Sequence, residues 1–380
     1  MTKVTMIGCD LHDRSMLLKV AVGTEKSLEK SFPNDADGRC KMVEFLMEFS
    51  QKHDCSRIVF VYEASGQGFG LFDFLTSFGI ECLVLSPAHL PKSAKEKKNK
   101  TDSKDAQMLL EKARGYVLAG NELPIVWTPP KALRDDRELV RARLEAAEAC
   151  TRIKLQIFSM LKRYGIPTPA WFQKNRSWTR NFVKWLKEQA ERMSEVVSPV
   201  LMTHIQRFEL YQAQITDLDR CLRHLAKTPR YEKSVEALRE LPGVGLLTAL
   251  TFLTEMGDLT RFSNRREVAA YLGLCPSSFE SGDVDDRKGH ITRQGPGRVR
   301  KVLCQAAWAG VRTDATTRAA WVRIQGGKQG RGKKAIVAIM RKLAIVMWHR
   351  AVDIGVPIDL VSPPLGPPCW VKAPPMAQAG

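Results

Sequence analysis

Four carboxylates, Asp10, Glu63, Asp102 and Asp105, fall where the chain changes element. Asp10 ends the apolar run from Val4 to Cys9, and Glu63 ends the run from Arg57 to Tyr62. Asp102 and Asp105 open a helical pattern, and their i,i+3 spacing sets both on one face of its first turn, where the helix dipole favours negative charge. Acids gathered together repel unless a cation neutralises them. Oxygen ligands at this density suit Mg²⁺ or Mn²⁺, and two such ions stabilise the attacking and leaving oxygens of a phosphodiester displacement. Singly, each acid has an ordinary alternative: Asp102 as an N-cap, Asp105 as a dipole partner, Asp10 as a turn cap. Jointly, four acids at element ends in a basic chain favour a metal site. Lys92, Lys95, Lys97, Lys98, Lys100 and Lys104 lie just before and within the Asp102 motif. A loop tracking phosphates beside the metals would be built this way; a merely solvated loop is the alternative.

A second constellation lies downstream. Leu241-Pro242-Gly243-Val244-Gly245 has the form of a helix-hairpin-helix turn, whose glycines let backbone N–H groups grip a phosphate; a tight turn between helices is the plainer reading. After Tyr271 to Pro276 come Ser277, Ser278 and the pair Ser281-Gly282, then Lys288, His290, Arg293 and a basic helix start with Arg298, Arg300 and Lys301. A serine on such a loop can attack a phosphodiester only when a base or a metal activates it, and most Ser-Gly pairs are turns. His290 is either that base or a polar loop residue.

The remaining sequence says what positions these groups. The chain has 380 residues, with 59 Lys and Arg against 41 acidic residues and a net charge of +18. Such a field attracts polyanions, nucleic acid first. No run approaches the roughly 18 apolar residues of a membrane span, and the chain starts directly into a strand without a charged-then-apolar leader, so a soluble cytoplasmic protein is expected. The nine scattered cysteines form no CxxC pair, which argues against a disulfide framework or structural zinc; Cys275 is expected as a buried free thiol. Three short β-like runs over 4–31 precede a helix at 37–53, a strand at 57–62, a helix at 66–79, a strand at 81–85 and a helix from Asp102 to about Leu118. The order βββαβαβα matches a ribonuclease H-like layer fold, so the fold class is α/β plus α.

Residues 1–128 form that first domain. Over 129–234 the pattern is helical, with Leu133, Val140, Leu144, Ala147, Leu155 and Phe158 on one helix and Leu201, Ile205, Phe208, Ile215, Leu218, Leu222 and Leu225 on another, suiting an antiparallel coiled coil. Between them, Trp171 to Trp185 mixes aromatic and basic residues and suits either nucleic acid or a packed helical hairpin. A mainly helical domain carrying the hairpin and the serine loop is expected over 235–352, and a Pro-rich tail expected to be disordered over 353–380. No internal repeat is visible.

The ordered set Ile7-Gly8-Cys9-Asp10, Tyr62-Glu63-Ala64-Ser65-Gly66, Lys100 to Ala106, Pro242 to Gly245, Leu272 to Pro276, Ser281-Gly282, Gly289 to Thr292 and Lys334 to Ala338 resembles the DEDD transposases of the insertion-sequence one-ten family, the bridge-RNA-guided recombinases. The sub-group with a longer helical middle is the nearer match. The resemblance implies a RuvC-like domain whose Asp10, Glu63, Asp102 and Asp105 bind Mg²⁺, and a transposase domain whose Ser281 attacks DNA and holds it as a phosphoserine. It also implies dimers that assemble into tetramers, and a noncoding bridge RNA that pairs with donor and target DNA. Nucleic-acid contacts would fall to Lys95, Lys97, Lys98, Lys100, Lys104, Gly243, Gly245, Lys288, Arg293, Arg298 and Arg300. The segment Gln294-Gly295-Pro296-Gly297 departs from the Gly-Asn common there.

Other classes stay open at the level of residues. A RuvC-like nuclease or junction resolvase would use water as nucleophile, and its cleavage would survive loss of Ser281. A sugar-kinase or actin-like ATPase also begins with an apolar strand, Gly and Asp, but no second phosphate motif accompanies it here. A noncatalytic nucleic-acid scaffold would have no use for four intact acids.

Overall fold

The computed structural model describes residues 3–87, 101–175, 177–279 and 287–355. The chain divides into two compact units, one reaching Pro129 and the other starting at Pro130.

In the first unit, β1 (Lys3–Leu11), β2 (Ser15–Val22), β3 (Leu28–Pro33), β4 (Cys55–Glu63) and β5 (Glu81–Leu85) form one sheet in the order β3-β2-β1-β4-β5. The β1–β2 and β2–β3 pairs are antiparallel; β1–β4 and β4–β5 are parallel. The helices α1 (Ala36–Lys52), α2 (Gly70–Ser77) and α3 (Asp102–Ala119) cover it. The second helix is shorter than the expected 66–79, because the turn after Glu63 runs on through Gly68, whose φ of 70° no helix tolerates.

Alternation along the strands sorts the two faces. Ile7, Cys9, Phe60 and Tyr62 pack with Met42, Leu46, Leu71 and Leu75 from α1 and α2. Met6, Val59, Val61, Leu83 and Leu85 pack with Leu109, Leu110 and Ala113 of α3. Successive side chains point to opposite faces, so Gly8 and Asp10 fall on the α3 side with Met6, and Glu63 falls there with Val61.

Gly8 sets how closely α3 lies. A Cβ there would stand 2.2 Å from the Ala106 carbonyl oxygen and 2.2 Å from the Leu110 nitrogen. Only a residue without a side chain lets helix backbone meet strand backbone at that distance. Polar ties add direction: Ser103 donates to Glu29 (2.6 Å), Lys19 pairs with Glu29 (2.8 Å), and Ser27 donates to Gln107 (2.9 Å). The Lys19 and Ser103 contacts hold the Glu29 carboxyl below its ordinary pKa.

The second unit is helical apart from one small ribbon. The long α4 (Lys131–Arg163) and α7 (Ser198–Ala226) run in opposite directions, with Arg143 pairing with Asp219 (2.7 Å) and Gln212 donating to the Cys150 sulfur (3.3 Å). Their far ends join α5 (Ala170–Asn175) and α6 (Arg180–Glu191) in one core that includes Ile153, Ile157, Phe172, Phe182, Ile205 and Phe208. Their near ends, with Val140, Leu144, Leu222 and Ala226, enter a larger core formed with the helices from residue 232 onward.

Leu155, expected on the apolar face, is 64% exposed, while Ile153 and Ile157 are buried. Packing α6 alongside widens the apolar face beyond a two-helix stripe and rotates it. The Trp171 to Trp185 stretch is packed: Phe172 stacks on Phe182 with centroids 3.7 Å apart, and Trp178 meets Phe182 edge-on. Trp171 stays half exposed.

The chain continues through α8 (Glu232–Arg239), α9 (Leu246–Met256), α10 (Arg265–Tyr271), the ribbon β6 (Pro276–Phe279) with β7 (Arg287–Ile291), α11 (Gly297–Thr313), α12 (Ala315–Gln325) and α13 (Gly332–Ile354). Among the described residues no helix is long and apolar enough to cross a membrane, and every described cysteine is a free thiol. Cys275 is half-buried, more open than expected. The last helix runs through Asp353 and Ile354, the first two residues of the expected tail, and residues 356–380 lie outside the described residues.

Candidate active site

The C-terminal ends of β1 and β4 are side by side. Cys9 pairs with Tyr62 in the parallel register, so Asp10 and Glu63 are the next residues out on neighbouring strands. Both are half-buried on the face that α3 covers. Asp102 and Asp105 are in the first turn of α3, and Asp105 immediately precedes Ala106, the residue pressed on Gly8. The N-cap of α3 is Thr101, without a side-chain capping bond, so Asp102 is not the cap.

Asp102 instead faces a group that sequence reasoning passed over. His12, in the turn between β1 and β2, brings Nε2 to 3.1 Å from Asp10 Oδ2 and 3.4 Å from Asp102 Oδ1. One ligand atom from each of Asp10, His12 and Asp102 lies within 4.8 Å of the others. Glu63, next to Asp10 across the β1–β4 pair, and Asp105, one turn from Asp102, are not members of this trio. The sequence signal was present as Asp10-Leu11-His12, an i,i+2 pair at a strand end, but a histidine in a turn carries little information alone.

The donor chemistry fits a divalent cation: carboxylate oxygens and one imidazole nitrogen, partly exposed and able to exchange with solvent. Cys9 is no part of it. Burial, then the charge of Asp10, raises its thiol pKa, so it stays protonated on the opposite face.

In the second unit the glycine turns have defined uses. Gly243, with φ of 81°, would put a Cβ 2.2 Å from the Ala306 carbonyl oxygen, so the turn between α8 and α9 is held against α11. Gly245 is the N-cap of α9 and has open space where a side chain would stand. Gly273 and Gly295 lie against each other's loops: a Cβ on Gly273 would meet the Gln294 carbonyl oxygen at 2.3 Å, and one on Gly295 the Tyr271 carbonyl oxygen at 1.8 Å. Arg300 locks this junction by donating to the carbonyls of Leu272 (3.1 Å), Gln294 (2.7 Å) and Gly295 (3.2 Å). The junction is the base of the β6–β7 ribbon.

Ser281 lies outside the described residues, as do Lys92, Lys95, Lys97, Lys98 and Lys100. The Ser277 hydroxyl donates to the His290 carbonyl (3.0 Å), which occupies it across the ribbon. Lys104 is exposed in the first turn of α3, and Lys288 lies in β7. Arg293 is exposed with φ of 58°. Arg298 pairs with Glu145 (2.7 Å) and Lys301 with Glu148 (2.5 Å), so part of this basic stretch is neutralised within its own unit.

Comparison with known proteins finds two family models, the first of which runs past Pro129 into the helical unit. Residues 7–166 match the family model of the DEDD transposases of the IS110 type, and residues 235–322 match the model described as Transposase IS116/IS110/IS902 family. The y4qE protein of Sinorhizobium fredii, a candidate transposase, is 32% identical over 66% of this chain and 58% of its own length. The transposase for insertion sequence element IS1533 of Leptospira borgpetersenii is 24% identical over 81% of this chain and 86% of its own. The transposase for insertion sequence element IS1111A of Coxiella burnetii is 25% identical over 76% of each. The chain thus spans less than two thirds of y4qE and most of the other two.

Proposed function

This chain belongs to the IS116/IS110/IS902 family of transposases, and from that premise we propose that it recombines insertion-sequence DNA through a carboxylate-held Mg²⁺ and a serine nucleophile, at sites chosen by a noncoding bridge RNA. The observation that carries the reading is the parallel β1–β4 register, which sets Asp10 beside Glu63 on the face where α3 begins with Asp102 and Asp105.

In this reading those four residues are the metal ligands. A bound Mg²⁺ neutralises charge that develops on the phosphodiester oxygens. The chain's own part is rigidity: Asp10 and Glu63 are fixed by strand pairing, Asp102 and Asp105 by the Gly8 contact, so the ligand oxygens are positioned before a cation arrives. Ser281 supplies the attacking hydroxyl. Its Oγ forms an ester to phosphorus while the bond to the leaving DNA oxygen breaks and that oxygen takes up a proton; attack by a second strand end reverses the exchange.

Lys95, Lys97, Lys98, Lys100 and Lys104 would track the DNA backbone beside the acids, and Gly243, Gly245, Lys288, Arg293, Arg298 and Arg300 would contact nucleic acid around the serine loop. Donor and target DNA are the substrates, and dimers that assemble into tetramers bring one protomer's acids to another's serine. The three-region division at 128 and 234 and a cytoplasmic location belong to the same proposal.

The test is a covalent adduct. Full-length protein with its copurified RNA and Mg²⁺ is expected to trap DNA on Ser281, with the adduct lost in Ser281→Ala and all cleavage lost in Asp10→Asn. Cleavage that survives Ser281→Ala would replace the serine mechanism by attack of water.

A further inference from the structure

The first unit holds an imidazole where the acids alone would suffice. Resting on the metal-centre reading above, we propose that His12 is a ligand of the same centre, sharing a divalent cation with Asp10 and Asp102 and biasing the site from Mg²⁺ towards Mn²⁺.

Three observations converge on it. First, the geometry is that of neighbouring ligands. At metal–ligand distances of about 2.1 Å, adjacent corners of an octahedron are about 3 Å apart. His12 Nε2 is 3.1 Å from Asp10 Oδ2 and 3.4 Å from Asp102 Oδ1. Second, one ring nitrogen faces two carboxylates. A single N–H has one proton to share between them, whereas a cation in the same place satisfies all three donors.

Third, the turn carrying His12 is fixed. Its backbone N–H donates to the Ser15 carbonyl (2.9 Å), and its own carbonyl accepts from Asn34 Nδ2 (2.7 Å). Asn34 is itself held, accepting from Arg39 Nε (2.9 Å) and Nη2 (2.8 Å) and donating to Gln67 (2.9 Å). A turn that merely linked two strands would not need this frame. With 43% of its side chain exposed, the imidazole remains within reach of a solvated ion.

The chemistry sets the preference. Mg²⁺ favours oxygen and holds its water tightly, while imidazole is a good ligand for first-row transition ions. A mixed nitrogen and oxygen set therefore gains more with Mn²⁺ than with Mg²⁺. The gain from His12 is expected to be roughly tenfold in Mn²⁺ affinity, with Mg²⁺ affinity changed by less than about twofold.

The experiment is pulsed electron paramagnetic resonance on the full-length protein loaded with Mn²⁺ alone. Directly bonded imidazole nitrogen gives ¹⁴N modulation of the Mn²⁺ echo, and ¹⁵N-histidine labelling of the unsubstituted protein must convert that signal, so the result does not depend on a variant folding. His12→Ala is expected to abolish the modulation and weaken Mn²⁺ binding, and His12→Gln to restore binding in part without the nitrogen signal. Mn²⁺ bound in an Asp10-dependent way with no ¹⁴N modulation overturns the role of His12 and leaves the acidic centre standing. Mn²⁺ binding indifferent to Asp10→Asn overturns both.

Discussion

Replacing Gly8 by alanine isolates the contact on which the site's geometry depends. The new methyl would begin 2.2 Å from the Ala106 carbonyl oxygen and from the Leu110 nitrogen, both main-chain atoms of α3 that no rotamer change can remove. Ordinary contact needs over 1 Å more, so α3 must retreat from β1 by about that distance. The retreat loosens Leu109, Leu110 and Ala113 against Met6, Val59 and Val61. Overpacking of this kind costs about 1–3 kcal/mol. For a unit of this size that lowers the melting temperature by roughly 4–12 °C.

The functional cost should exceed the stability cost. Asp102 and Asp105 travel with the helix while Asp10 and Glu63 stay on the sheet, and a misplacement near 1 Å can reduce rate by about a hundredfold. The assay is paired: calorimetric unfolding of the metal-free protein, and the proposed Mg²⁺-dependent DNA cleavage measured well below the melting temperature. Gly66→Ala, where a Cβ meets nothing within 4 Å, is the control for stability. A Gly8→Ala protein with unchanged melting and unchanged cleavage would refute the claim that this contact sets the spacing of the acids.

Two further outcomes concern the helical unit. Glu255 is buried and takes both Nε (2.7 Å) and Nη2 (3.0 Å) of Arg141, so Arg141→Met removes its hydrogen-bonded cation and leaves only the nearby charge of Arg137; it should cost about 3 kcal/mol by denaturant unfolding, and a loss under about 1 kcal/mol would mean that Arg137 or solvent compensates fully. Desolvation, then the charges of Arg207 and Arg163, holds the His204 pKa below 6.5. A histidine with a depressed native pKa is protonated first in the unfolded chain. Stability of this unit should therefore fall as pH drops through about 6.5 and level off below the native pKa, and melting curves of His204→Gln should lose that part of the slope.

The sheet was largely legible because its signals are local. Apolar runs ending in Asp10 and Glu63, and a helix opening on Asp102, follow from period-two and period-3.6 patterning. The order βββαβαβα already suggested the layer fold, and the structure supplies the parallel β1–β4 register within it. What stayed hidden depends on contacts between distant segments. Nothing near Gly8 announces that residues 106–110 will press on it, and nothing near His12 announces Asn34 and Arg39 behind its turn. The same holds for Arg300, whose position in a basic stretch suggests phosphate while its Nη1 is turned to three carbonyls of its own unit. Leu155 misled because a heptad template assumes two helices, and α6 makes a third.

The alternation that divides the sheet's faces also limits how such chains can change in length. Gly8 and Asp10 must share a face two residues apart, so one residue inserted between them would either turn the carboxylate towards α1 or force a bulge into the β1 pairing with β2 and β4, and undo the centre. Changes of length are tolerated best in the connections, such as Gly23 to Ser27 or His53 to Asp54, where neither the face of Asp10 nor that of Glu63 depends on the count of residues.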